Sequence, residues 1–271
     1  MKKISLALIL CLLIVSLCAC GNSASQENTK EETEKSTPVE KVELTISAAA
    51  SLQDAIGELK ETYENKDENV ELVINFGSSG SLMKQIEEGA EVDLFISAGK
   101  KQMDELEEKE LLVNESRIDL LGNDLVLLVN NNYKDKIKSV NDLLNLKDEK
   151  IAMGAPDSVP AGKYAAESLT NLGLYDKLEE KLVLTKDVRQ VVTYVDSENV
   201  VAGFCYGSDT FIAKNSSIAE IVPDDSHKPI VYPAAIIKST EEIDETQKFL
   251  DFLQSDESLN VFEKYGFKKI K

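Results

Sequence analysis

The stretch VELTISAAASLQDAIGELKETY, residues 42–63, decides the fold. Val42 to Ala49 reads as a buried strand. It runs straight into Ser51 and then into Leu52, Ala55, Ile56, Leu59 and Tyr63, which recur at helical spacing. Ser51, with Asp54 three residues on, predicts a helix N-cap and its capping-box partner. A strand passing directly into a helix is the unit of an α/β sheet.

The unit repeats downstream. Val70 to Phe76 predicts a strand, Gly77-Ser78-Ser79-Gly80 breaks it, and Leu82, Met83 and Ile86 mark the next helix. Asp93 to Ser97 predicts a third strand and Lys100 to Lys109 a further helix. A second set follows: a strand at Leu125 to Val129, a short helix at Val140 to Leu146 and a strand at Lys150 to Met153. Pro160-Ala161-Gly162 opens a helix carrying Ala165, Leu169 and Leu172. Asp187 reads as an N-cap, with Gln190 as partner, for a helix carrying Val188, Val191, Val192 and Val195. Val200 to Cys205 is a strand ending at Tyr206-Gly207, Ile230 to Ile237 a long apolar strand, and Glu242 to Leu253 a closing amphipathic helix. The alternation predicts parallel neighbours in two α/β lobes of about 100 residues each. Gly122 and the segment from Asp224 to Lys228 are the expected crossings between them.

Composition removes whole classes of function. The 271 residues carry 30 Lys plus Arg against 49 Asp plus Glu, a net charge of −19, which repels nucleic acid and anionic lipid surfaces. There is no Trp, and 8 Phe and 8 Tyr are scattered, so no base-stacking platform stands out. A single histidine, His227, excludes His-rich zinc sites and leaves a serine triad one candidate base.

The first residues read as an address. Lys2 and Lys3 precede an apolar run from Ile4 to Leu17, too short for a membrane span of roughly 20 residues. Leu17-Cys18-Ala19-Cys20-Gly21 resembles the lipobox of bacterial lipoproteins, which implies a signal peptide at 1–19 and a lipidated Cys20 as the new N-terminus. A plain signal peptide with incidental cysteines is the alternative. Cys11 and Cys18 leave with the signal, so Cys205 stands alone and forms no intramolecular disulfide. The rest of segment 20–41 is rich in Glu, Lys, Ser and Thr without an aromatic residue, the composition of a tether with a reach of roughly 25 Å.

Ser51, Ser78-Ser79, Ala161 and Val188 each fall at or just inside a predicted helix start after a strand or its loop. Helix starts expose unpaired N–H groups and partial positive charge, so they bind anions without a basic side chain. In open α/β sheets such points lie at the ligand-binding edge. Taken singly, Ser51 is also read as a simple cap, Gly77 to Ser81 as a tight turn, and Tyr206 as a packed residue before a turn. The joint pattern points to a compact anion.

Ala48-Ala49-Ala50-Ser51-Leu52, Phe76-Gly77-Ser78-Ser79-Gly80-Ser81-Leu82, Asp93-Leu94-Phe95-Ile96-Ser97-Ala98, Val159-Pro160-Ala161-Gly162, Asp187-Val188-Arg189, Tyr206-Gly207-Ser208-Asp209 and Tyr265-Gly266-Phe267 stand in one order. That series resembles the molybdate-binding proteins of bacterial ABC importers, from about Glu43 to Lys271. The resemblance implies the type II periplasmic-binding-protein fold, two α/β lobes joined by crossover strands with a ligand cleft between them. It places lobe 1 at 42–122 plus 228–271 and lobe 2 at 123–227. It also implies ligand contacts at Ser51, Ser79, Ala161, Val188 and Tyr206, with hydroxyl donors from the serines and tyrosine and backbone amides supplying the rest. Gly77 and Gly80 depart from the Ala or Ser frequent elsewhere in the family, with a local backbone change and no loss of the site expected.

The resemblance further implies molybdate or tungstate as ligand, held by hydrogen bonds and not as a bare cation, with no cofactor and no enzymatic activity. Its partners would be the membrane permease and ATPase subunits of an importer. The protein would be an extracytoplasmic monomer, touching the membrane only through its lipid. Hydrogen bonds to a charged group contribute about 1.5–3 kcal/mol each, so six would gross roughly 9–18 kcal/mol before immobilisation and closure subtract several. A site of donors alone penalises protonated phosphate or arsenate, whereas sulfate must be rejected by size. The rival readings are the same fold with another tetrahedral dianion such as sulfate, a secreted serine hydrolase, and a purely adhesive lipoprotein. The hydrolase needs His227 as base, yet His227 lies in a polar turn read as an exposed loop, and Gly77 to Ser81 does not match the G-x-S-x-G elbow.

Overall fold

In the computed structural model, which describes residues 41–270, the strands are β1 (Val42–Ala49), β2 (Val70–Gly77), β3 (Leu94–Ile96), β4 (Ile118–Gly122), β5 (Leu125–Asn130), β6 (Ile151–Gly154), β7 (Leu182–Thr185), β8 (Ala202–Tyr206), β9 (Ser216–Ile221), β10 (Val231–Ile236) and β11 (Lys268–Lys269). The helices are α1 (Gln53–Lys66), α2 (Ser79–Glu87), α3 (Lys100–Glu108), α4 (Pro160–Asn171), α5 (Tyr175–Leu178), α6 (Val188–Asp196), α7 (Ile243–Leu253) and α8 (Asp256–Lys264). The signal peptide, Cys20 and all but the last residue of the tether lie outside the described residues.

Two sheets result, ordered β11-β4-β10-β3-β1-β2 and β7-β6-β8-β5-β9. Each has helices packed on it, and the fold is that of the periplasmic binding proteins, two α/β lobes. The expectation of parallel neighbours holds for β2, β1 and β3 and for β7, β6 and β8. It fails elsewhere: β10 is antiparallel to β3 and β4, β11 to β4, and β5 to β8 and β9. The connections explain this. β4 leaves the first sheet at Gly122, and β10 re-enters beside it with Val231 paired to Gly122, so outgoing and returning strands run opposite ways. Across Asn123 and Asp124 the chain enters β5, where Leu125 pairs with Tyr206 and Val126 with Ile221. That register sets the end of β8 at the junction of the lobes.

Burial follows the sheets. Every residue of β5 is buried, which is why Leu125 to Val129 reads as an unbroken apolar run and not an alternation. Behind the first sheet, Leu82, Met83 and Ile86 of α2 and Met103 and Leu106 of α3 pack with Phe95. Full burial of such side chains contributes about 1.5–3 kcal/mol each. Helix α4 starts on Pro160, whose missing N–H costs nothing at a first helical position. Its first turn lies so close to β6 that a Cβ on Gly162 would stand 1.8 Å from the Gly154 carbonyl oxygen. Only glycine permits that approach.

The short helix expected from Val140 is present, several elements were not anticipated, and one local expectation needs correcting. The segment from Val140 is a 3-10 helix, Val140–Asn145. Strands β4, β7, β9 and β11 and helix α8 go unannounced by the sequence pattern. His227 is buried, at 8% exposure, and not exposed. Ser226 beside it bonds Ser168 of α4 at 2.7 Å, and the His227 ring packs edge-on against Tyr164 of the same helix, so the loop is pinned down.

Candidate anion site between the lobes

Ser51 leaves β1 in a 3-10 turn, Ala50–Leu52, and α1 begins only at Gln53, capped by Leu52 without any side-chain bond. Ser51 is therefore not the predicted N-cap, and Asp54 is not its capping partner. The Ser51 hydroxyl bonds the Tyr232 hydroxyl at 2.9 Å, and the Asp54 carboxylate pairs with Arg189 of α6. The other helix starts match their reading more closely. Ser78 caps α2 by accepting from the Ser81 amide, which puts Ser79 at the first helical position. Asp187 caps α6 by accepting the Gln190 amide at 2.9 Å, so Val188 opens that helix. Ala161 follows Pro160 in the first turn of α4.

These starts converge. Ser51, Ser79, Ala161, Val188 and Tyr206 all line one small cavity, together with Ala49, Ala50, Gly77, Ser78, Ala98, Val159 and Pro160. The first lobe contributes through β1, β2 and α2, the second through α4, α6 and β8. All five predicted residues are buried, none above 4% exposure, so a bound group would be withdrawn from water. Among the described residues, no acidic or basic side chain lines the cavity. Its polarity comes from hydroxyls and helix-start amides. Among the described residues, the amides of Ser79, Ala161 and Val188 find no protein acceptor, as expected for first-turn N–H groups.

The hydroxyls are partly engaged. The Ser79 oxygen accepts from the Ala98 amide at 2.9 Å, which leaves its proton to donate. Tyr206, at the end of β8, donates to the Ala98 carbonyl at 3.1 Å and so bridges the lobes. A ligand in the cavity would compete with that carbonyl for the Tyr206 proton. Burial, with Tyr232, Tyr164 and Asp209 nearby, holds the Tyr206 hydroxyl well above its usual range, so it stays protonated and a donor. The lobes also meet where the Gly80 amide donates to the Ser158 carbonyl at 2.9 Å and where Asp54 meets Arg189.

Several residues beside the site were not singled out from sequence. Tyr232 of β10 is fully buried and touches both Ser51 and Asn123. A tyrosine inside an otherwise apolar strand is the available signal, since a buried phenol needs a polar partner. Asp209 is also buried. One carboxylate oxygen takes the Tyr206 amide at 3.0 Å, while the other has no partner among the described residues. Burial pushes its carboxyl up to about 7, with Asp187 and Asp54 adding to the rise and the Tyr206 amide and Arg189 opposing it. His227 does not line the cavity, and its Nδ1 lies 2.8 Å from the Lys228 carbonyl. A serine nucleophile there has no histidine base.

Known proteins align with this arrangement over most of the chain. YvgL of Bacillus subtilis (strain 168), provisionally named an ABC transporter substrate-binding lipoprotein, is 44% identical over 251 residues, covering 93% of each chain. The molybdate-binding protein ModA of Haemophilus influenzae is 40% identical over 229 residues, covering 83% of this chain and 89% of its own. A solved substrate-binding domain from Clostridium difficile, assigned provisionally to a molybdenum ABC transporter, is 48% identical with a TM-score of 0.67. It is covered completely and spans 85% of this chain. The sequence profile of the bacterial extracellular solute-binding proteins matches residues 44–268, and the chain belongs to that family.

Proposed function

We propose that this protein captures molybdate, and tungstate with it, outside the cytoplasm and delivers the oxyanion to the permease and ATPase subunits of an ABC importer. The observation that carries the reading is the convergence of Ser51, Ser79, Ala161, Val188 and Tyr206, from both lobes, on one buried cavity without a charged side chain. A fully ionised tetrahedral oxyanion needs donors on every side and no group to accept a proton. Hydroxyls and helix-start amides meet that need. The names of the relatives, molybdate-binding protein among them, support the same ligand.

The division into lobe 1 at 42–122 plus 228–271 and lobe 2 at 123–227 belongs to this proposal, as do a monomeric state and the absence of catalysis. So does the lipid anchor on Cys20, supported by Leu17-Cys18-Ala19-Cys20 and by the lipoprotein name of YvgL. Cys20→Ala should release the protein from membranes or leave it unprocessed. Unchanged retention with normal processing would exclude the anchor.

Titration calorimetry of the purified protein with molybdate, tungstate, sulfate and phosphate tests the ligand. Micromolar or tighter binding of molybdate and tungstate, with weak sulfate and phosphate, is the expected pattern. Tighter sulfate would assign the cavity to another dianion, and no heat with any of them would end the oxyanion reading.

A further inference from the structure

Behind Ser51 lies a chain of buried polar groups that fixes which way the serine proton points. The Asn123 side-chain carbonyl accepts the Asp124 amide at 2.9 Å, which settles the orientation of the side-chain amide. Its Nδ2 therefore faces the other way and donates to the Ser208 hydroxyl at 2.8 Å and the Tyr232 hydroxyl at 3.3 Å. Nδ2 has no lone pair to offer, so Tyr232 can only accept from it. The one other partner of the Tyr232 hydroxyl among the described residues is Ser51, at 2.9 Å. Accepting from both would leave the buried Tyr232 proton without an acceptor among the described residues, so Tyr232 gives it to the Ser51 oxygen and Ser51 turns its own proton elsewhere, toward the cavity it lines. Asn123, Tyr232, Ser208 and Ser51 are all buried, so water does not scramble this order.

We propose that Asn123 and Tyr232 are positioning residues that make Ser51 an obligate donor, and that this polarity selects fully deprotonated oxyanions over those that carry a proton. The inference rests on the oxyanion reading of the cavity. An oxyanion bearing an O–H must place that proton against an acceptor, and Ser51 oriented in this way presents a proton instead. The mismatch leaves a buried donor unpaired, which is costly. Molybdate, with four unprotonated oxygens, meets no such mismatch.

The test compares molybdate with hydrogen arsenate at mildly alkaline pH, where both are dianions and only arsenate carries a proton. The wild-type protein should bind molybdate far more tightly. Tyr232→Phe frees the Ser51 hydroxyl to rotate, and the molybdate-to-arsenate affinity ratio should fall about tenfold. Asn123→Asp is nearly the same shape and reverses the chain. Its carboxylate accepts from Tyr232, Tyr232 then accepts from Ser51, and Ser51 offers a lone pair to the ligand. The added negative charge repels both dianions alike, so the ratio isolates the proton order and should fall further than in Tyr232→Phe. In a Ser51→Ala background neither substitution should move the ratio, because the relay has lost its last member.

Thermal melts establish that each variant is folded. A ratio unchanged in folded Asn123→Asp overturns the proposal, as does a change that persists without the Ser51 hydroxyl, since that is what a purely structural role would give. Wild-type protein that binds arsenate as well as molybdate also overturns it while leaving oxyanion capture intact. Wild-type protein that binds neither anion overturns the functional reading, and the proposal with it.

Discussion

The Gly80 amide donates to the Ser158 carbonyl at 2.9 Å, and a Cβ built on Gly80 would stand 2.6 Å from that same oxygen. The two lobes thus touch backbone to backbone beside the cavity, at a position where any side chain obstructs the contact. The sequence suggested that glycine here would shift the backbone without loss of the site. The contact gives it a more specific use, because it lets α2 and the loop before α4 close together.

Gly80→Ala should therefore weaken molybdate binding while leaving the ligand-free protein about as stable as before. The overlap is confined to the contact between the lobes beside the cavity, so its cost falls mainly on the arrangement that encloses a ligand. Overpacking of this kind costs about 1–3 kcal/mol, which corresponds to a loss of roughly fivefold to 150-fold. Calorimetry beside thermal melts with and without molybdate checks this, and wild-type affinity in the variant would refute it.

Single changes Ser51→Ala, Ser79→Ala and Tyr206→Phe should each weaken molybdate binding by ~1.5–3 kcal/mol, the value of a hydrogen bond to a charged group. Tyr206 also donates to the Ala98 carbonyl, and a ligand takes that proton only in exchange for this bond, so the net loss in Tyr206→Phe is smaller. It should be the mildest of the three. Losses near zero for all of them would remove the hydroxyls from the site.

What could be read from the sequence was what lies close along the chain. A strand passing into a helix start at Val42 to Tyr63, or Asp187 capping three residues ahead, is local chemistry, and both ends of each interaction sit in one window. Ser51 shows the limit. Its neighbourhood suggested a cap, but the partner it takes is Tyr232, 181 residues away. Asn123 reaches Tyr232 across 109 residues. No periodicity reports such pairs. The antiparallel strands escaped for a related reason, since the direction of β10 depends on where the chain crosses back and not on its own apolar pattern. Edge strands β7 and β9 escaped because they are half exposed, with Leu184 and Ile221 facing solvent. His227 looked like a loop residue because its turn is polar, whereas its burial comes from Tyr164 on α4.

Ala161 and Val188 carry no side-chain donor, so any role in anion capture must belong to their amides, which have no partner among the described residues. Val188→Ala should lose packing, since the side chain is buried against the core, but keep most of the affinity. Ala161→Pro should remove a donor outright and badly weaken binding, although the first turn of α4 accepts proline structurally. Calorimetry on the folded variants separates the cases. Destroyed binding in Val188→Ala together with intact binding in Ala161→Pro would mean recognition by side chains.

The last prediction concerns pH. Asp209 is 1% exposed, one of its oxygens takes the Tyr206 amide, and the other has no partner among the described residues. Burial first, then Asp187 and Asp54, raise its carboxyl from the ordinary carboxylate range to about 7. The folded state then holds a proton that the unfolded chain has lost, so stability falls as pH rises through this window, from the ordinary carboxylate range to about 7. A dianion captured next to Tyr206 adds negative charge and pushes Asp209 higher still. Binding below about pH 7 meets a neutral carboxyl, whereas binding above it must take up a proton. Affinity should therefore decline with rising pH above neutrality, at up to about tenfold per pH unit. Asp209→Asn keeps a carbonyl for the Tyr206 amide and has no proton to gain, so its affinity should be flat over the same range. Calorimetry in two buffers of different ionisation enthalpy reads the proton uptake directly. Flat affinity with no uptake in the wild-type protein would show that Asp209 does not sense the ligand.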